Sequence, residues 1–151
     1  MDATVKAMVQ KLYAHQIEGV MFHTLVSNTY AMLGDYKKMV KKHNAQALEE
    51  LKNHLCFSDY INCKHKEAIQ PSATAKPTIL AKEVTERPIS KLERDLTHKN
   101  LMMSWEKWEE ETEALYDEAL KLMPDCEMLK KLKIEVEKEI KNVISMLNKW
   151  K

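Results

Sequence analysis

The sequence predicts an all-α chain folded as an antiparallel four-helix bundle with one long crossover. Three observations carry that expectation. The chain has only two glycines and four prolines against many Leu, Met, Lys and Glu, a composition rich in strong helix formers. Apolar residues recur at helical spacing through four long stretches. The breaks between those stretches come short, long, short: Gly34-Asp35, residues 70–89, and Pro124-Asp125. At 151 residues the chain is expected to be a single domain, 1–151, large enough to bury a proper core.

The first helix is expected over residues 4–33, with Met8, Leu12, Phe22 and Val26 on its apolar stripe and Ala14, Met21, Leu25 and Met32 widening it. Gly34 suits the left-handed position after a helix, and Asp35 is expected to cap the next one. The second helix then covers 36–69, antiparallel to the first across that tight turn. Pro71, Pro77 and Pro88 rule out a continuous helix through 70–89. Extended, those twenty residues reach at most roughly 65 Å, whereas a helix of thirty residues is about 45 Å long. The crossover can therefore travel the length of the bundle and let the second and third helices lie parallel. The third helix opens on a capping box, Ser90-Lys91-Leu92-Glu93, and covers 90–123. Its stripe is Leu101, Trp105, Trp108, Thr112, Leu115 and Ala119. Asp125 is expected to cap the fourth helix, 126–150, with Leu129, Leu132, Val136, Ile140, Val143 and Leu147 inward.

Several function classes are disfavoured. Net charge is +1 with acids and bases interspersed, and arginine occurs only at Arg87 and Arg94, so no nucleic-acid-binding face is expected. No apolar run is long enough to span a membrane, and no membrane partner is expected. The amino terminus, MDATVKAMVQ, lacks a signal-peptide layout, so a cytoplasmic location is expected. Cys56, Cys63 and Cys126 are odd in number and without Cys-x-x-Cys spacing; buried reduced thiols are expected.

The chemistry lies in a coincidence of depth. Glu18 stands sixteen residues before Gly34 and Glu50 fifteen after Asp35. Glu109 stands fifteen before Pro124 and Glu139 fourteen after Asp125. At the helical rise, all four sit about 21–24 Å from their own hairpin end, near mid-bundle. Each lies beside its helix's apolar stripe, although Glu106 competes with Glu109 and Glu135 with Glu139. Converging carboxylates repel unless cations or protons neutralise them. In the second helix His54 follows Glu50 by four residues, so the two can share one face. Oxygen donors with an imidazole suit iron or manganese, and also accommodate zinc. Gly19, one of the two glycines, sits inside a helix beside Glu18 and implies room for a ligand or for close helix packing. His15 and His23, flanking Glu18 on neighbouring faces, are expected to be surface or core-satisfied.

The layout and the segment EELKNH resemble the ferritin-like superfamily, bacterioferritin most nearly, over almost the whole chain. In that superfamily two helices each give one Glu and two give a Glu-x-x-His to a di-iron centre. The resemblance implies iron(II) binding, followed by reaction with oxygen or peroxide. Glu18 and Glu109 would be the terminal carboxylates, Glu50 and Glu139 the bridging ones, and His54 the sole imidazole. The sequence departs from the pattern at Asn53 and Asn142, each asparagine where the family has histidine. A ferritin-like scaffold that has lost its metal site and acts through protein association is therefore the alternative. Met102, Met103, Trp105 and Trp108 are expected as core filler or a subunit contact, and Trp150 with their exposed remainder would then serve as interface. No fifth helix of the kind long-chain ferritins possess is expected, so a homodimer or no stable oligomer is expected in place of a storage shell.

Overall fold

The computed structural model describes residues 1–72 and 90–149. Within them the chain forms four helices: α1 (Ala3–Leu33), α2 (Lys37–His65), α3 (Lys91–Leu122) and α4 (Glu127–Asn148). There is no strand among the described residues. Trp150 and the centre of the expected crossover, from 73 to 89, lie outside them.

Helix ends follow local chemistry. Asp2 opens α1 by accepting hydrogen bonds from the backbone N–H of Thr4 (2.7 Å) and Val5 (3.3 Å). Gly34, at φ 73°, closes it. Ser90 accepts from the backbone N–H of Glu93 (3.1 Å), as the capping box predicts. Two expected caps shift by one residue. Tyr36, not Asp35, stands at the start of α2, and Cys126, not Asp125, at the start of α4; neither side chain caps. Asp35 instead adopts φ 39° and pairs with Arg94 at 3.1 Å. The end of α2 differs as well, at His65 where the sequence led to Ile69. Lys66 turns left-handed at φ 51°. The Asn62 carboxamide oxygen then accepts both the Ile69 backbone N–H (3.4 Å) and the Tyr13 hydroxyl (3.1 Å). Ile69 stays buried without being helical.

Pairings across the bundle give the directions. Tyr13 meets Asn62 and Ser27 meets Asn44, so α1 and α2 are antiparallel. Tyr30 meets His98 and His15 meets Thr112, so α1 and α3 are antiparallel too. It follows that α2 and α3 run the same way. Ser72 is hydrogen-bonded to Gln10 near one end, whereas Arg94 pairs with Asp35 at the other. The chain thus leaves α2 and enters α3 at opposite ends.

The core divides into two apolar clusters. One holds Leu12, Tyr13, Phe57, Ile61, Tyr116, Leu129, Leu132 and Val136. The other, nearer the α1–α2 turn, holds Phe22, Tyr30, Leu33, Trp105, Trp108 and Val143. Each large side chain fully buried there contributes on the order of 1.5–3 kcal/mol. Between the clusters each helix carries polar residues: Gln16 on α1, Glu50 on α2, Glu109 and Thr112 on α3, and Glu139 on α4. The thiols divide: Cys126 is buried, but Cys56 and Cys63 are exposed, contrary to expectation.

Candidate metal centre

Gly19 and His23 lie one turn apart on α1 and share its inner face. A Cβ at position 19 would stand 3.2 Å from both Cδ and Oε2 of Glu50, inside ordinary contact distance. The missing side chain is the space that the Glu50 carboxyl occupies. Close helix approach and room for a ligand group are here the same feature.

On α3, Glu109 is 2 % exposed, while Glu110 and Glu111 of the same acidic run face solvent. The Trp105 indole N–H, one turn earlier, donates to Glu109 Oε1 at 3.2 Å and fixes the carboxyl. His23 Nε2 lies 3.7 Å from that same oxygen, too far for a hydrogen bond, and has no other hydrogen-bond partner among the described residues. His23, Glu50 and Glu109 each offer one donor atom, and the three atoms lie within 4.8 Å of one another. Ligands about 2.1 Å from a common ion stand about 3–4 Å apart. Small side-chain rotations would close the remaining gap.

Glu50, Glu109 and Glu139 all line a cavity of about 390 Å³ that opens to solvent past Glu49, Glu135 and Lys138. The Oε2 of Glu139 is buried and accepts no hydrogen bond from the described residues. Among the described residues no lysine or arginine makes an ion pair with these three carboxylates. For Glu50 and Glu109, protons do the neutralising instead. Burial raises Glu50 to about 8, reinforced by the neighbouring Glu109, Glu135, Glu49 and Glu139. Burial likewise raises Glu109 to about 8, against the lowering effect of the Trp105 hydrogen bond. His23 is pushed down to about 4 by burial, against the attraction of Glu139. At neutral pH the metal-free site thus carries an uncharged imidazole, with Glu50 and Glu109 largely protonated. A divalent cation would replace those protons.

The five residues expected from the sequence do not all meet. Glu50 and Glu109 come together, and Glu139 lines the same cavity. Glu106 is half-buried and does not line it; Glu135 does, but is exposed and accepts a hydrogen bond from Asn53 (3.2 Å). Glu18 is half-buried and lies outside the group, because it precedes Gly19 by one residue and so sits about 100° around the helix from the inner face. His54 is outside it as well. Its Nδ1 donates to Gln16 Oε1 at 3.1 Å and its ring packs edge-on against Tyr13. Asn142 is exposed and offers nothing inward. His15 is satisfied by structure: it stacks on Trp108 and its Nε2 bonds Thr112 at 2.7 Å.

The imidazole of the group is His23, expected from the sequence to be surface or core-satisfied. A signal for it exists. Gly19, His23, Val26 and Tyr30 are all buried and follow one another at four, three and four residues, so His23 belongs to the inward row that Gly19 begins. His43 on α2 was also passed over. It is fully buried, with its Nδ1 2.9 Å from His23 Nδ1. Neither a protein-family model, nor a curated protein, nor a solved structure matches this chain.

Proposed function

We propose that this chain binds a divalent metal within a ferritin-like four-helix bundle. His23, Glu50 and Glu109 would be ligands, and Glu139 would face the ion across the cavity. One observation carries the reading. At mid-bundle the His23 Nε2, without a hydrogen-bond partner among the described residues, lies within 4.8 Å of carboxylate oxygens of the half-buried Glu50 and the buried Glu109. The two carboxylates line a solvent-reached cavity, and no side-chain cation among the described residues pairs with them. Burying such groups together destabilises the fold unless a ligand uses them. Three carboxylates and one imidazole suit iron(II) or manganese(II), with zinc(II) also accommodated.

The ferritin-like arrangement is supported by the helix directions and by the tight, long, tight connections. With iron(II) bound, the chemistry implied is its oxidation by oxygen or peroxide. The protein's part is to hold the donors, to keep His23 neutral, and to surround the centre with Trp105, Trp108 and Phe22 so that competing ligands stay out. The test is to titrate metal-free protein with iron(II) under argon and then admit air. About one bound iron or more per chain, followed by new near-ultraviolet absorbance, is expected. Less than about a tenth of a metal per chain, with no absorbance change, would remove the reading.

A second reading, the association scaffold, is favoured by one observation. Leu48, Leu51 and Leu55 form an exposed row on α2, with Leu48 70 % exposed. Of Met102, Met103, Trp105 and Trp108, expected as core filler or a subunit contact, Met102, Trp105 and Trp108 are core, and Met103 is the exposed remainder. Sedimentation of the parent and of Leu48→Glu distinguishes the cases. A homodimer lost in the variant supports association through this row, and a monomer in both removes it.

A further inference from the structure

We propose that His43 is a positioning residue for the metal centre: by accepting a hydrogen bond from His23 Nδ1–H, it leaves the His23 Nε2 lone pair free for a cation. This rests on the metal-binding reading above and deepens it. The two rings stand Nδ1 to Nδ1 at 2.9 Å, so a single hydrogen lies between them and one ring must donate while the other accepts. Two arrangements satisfy that geometry. In one, His43 donates, and His23 then carries its own hydrogen on Nε2, where it would block a metal. In the other, His23 donates, its Nε2 is bare, and His43 carries its hydrogen on Nε2.

A cation approaching Glu50 and Glu109 selects the second arrangement. The hydrogen between the rings passes from His43 Nδ1 to His23 Nδ1. His23 gives up its Nε2 proton, and His43 Nε2 takes one up. The pair therefore ligates as neutral imidazole with no net change in protons, and only the carboxyl groups release them.

The surroundings fit this role. His43 is 1 % exposed and lies seven residues before Glu50 on the same face of α2. Trp105 meets the His43 ring edge-on, with centroids 4.7 Å apart, and the same indole holds Glu109. Tyr30 stacks on the same ring, with centroids 5.8 Å apart. One tryptophan thus orients two residues of the centre, one of them through His43. Metal-bound histidines commonly need such an outer partner, whose loss costs 10- to 100-fold in affinity.

Zinc(II) is the probe, being diamagnetic. In parent protein labelled with ¹⁵N-histidine, zinc is expected to shift His23 Nε2 into the metal-bound range. His23 should then keep its hydrogen on Nδ1, and His43 should become the Nε2–H tautomer. His43→Phe retains the packing between Trp105 and Tyr30 but cannot accept, and should bind zinc about 10- to 100-fold more weakly. His43→Asn places an oxygen near the old Nδ1 and should recover affinity to within about threefold. Equal zinc affinity in parent and His43→Phe overturns the role of His43 while leaving the centre standing. Zinc bound at His23 Nε2 with His43 still carrying its hydrogen on Nδ1 does the same, and that parent spectrum decides the matter even if the phenylalanine variant does not fold. No zinc binding by the parent overturns the centre itself.

Discussion

Glu109 is the residue on which the centre turns, because it touches everything else. It faces His23, receives Trp105, and shares the cavity with Glu50 and Glu139. Glu109→Gln keeps the shape and the indole acceptor but cannot become anionic. Metal affinity should fall on the order of 100-fold, measured by competition with a chromophoric chelator; parent-like affinity would exclude Glu109 as a ligand. Gly19→Ala makes a different prediction. The helix gains up to about 1 kcal/mol of propensity, while the new methyl displaces the Glu50 carboxyl by a few tenths of an ångström. Chemical denaturation should therefore show little loss of stability, whereas metal affinity falls roughly tenfold. A large loss of stability with affinity unchanged would show that Gly19 serves packing alone. At this scale Glu50 and Glu109 were legible from counting residues to the turns, since helical rise converts sequence distance into depth. Rotation was less legible: Glu18 has the right depth but lies one residue away from the inward row. His23 was legible in spacing only, because an imidazole on an apolar stripe usually just packs.

Among the elements, α2 shows most clearly how side chains decide boundaries. Its apolar pattern continues to Ile69, and Ile69 is indeed buried, yet the helix stops at His65. Periodicity reports burial, and a non-helical residue can be buried when another side chain satisfies its backbone. Asn62 does this here, serving Ile69 and Tyr13 together. Asn62→Ala should destabilise the fold by about 1–3 kcal/mol, read from the shift in denaturant midpoint; a change under about 0.5 kcal/mol would mean the carboxamide is replaceable by water. The expected caps Asp35 and Asp125 failed for a related reason. In a two-residue turn the aspartate lies within the turn, and the next residue takes the cap position. Ser90, with a whole capping box after it, was correctly legible because two reciprocal bonds specify it.

The whole molecule is two apolar clusters separated by a polar layer, and its response to pH should reveal that layer. Between about pH 4.5 and 8 the folded chain holds protons on Glu50 and Glu109 that the unfolded chain releases, so stability falls as pH rises. His23 and His43 act oppositely. Below about 6.5 the unfolded chain takes up protons that the folded chain refuses down to about 4 and 3, so stability rises with pH in that range. The two effects oppose each other below 6.5, and only the carboxyl effect remains above it. Metal-free protein should lose thermal stability from pH 6.5 to 8. A melting temperature that holds or rises over that interval would contradict the protonated-carboxyl site. Metal should reverse the trend, adding about 2.7 kcal/mol at a free concentration of 100 times Kd. The layering was visible in the sequence as four carboxylates at one depth. The choice among them, and the imidazole that joins them, depends on helix rotation, which apolar periodicity fixes only loosely.

The most direct test is a crystal structure of the protein grown with manganese(II) or zinc(II), with data collected across the metal's absorption edge. The account predicts one anomalous peak at mid-bundle, about 2.0–2.2 Å from His23 Nε2 and from carboxylate oxygens of Glu50 and Glu109. Peaks confined to exposed carboxylates, with that cavity holding only water, would contradict it.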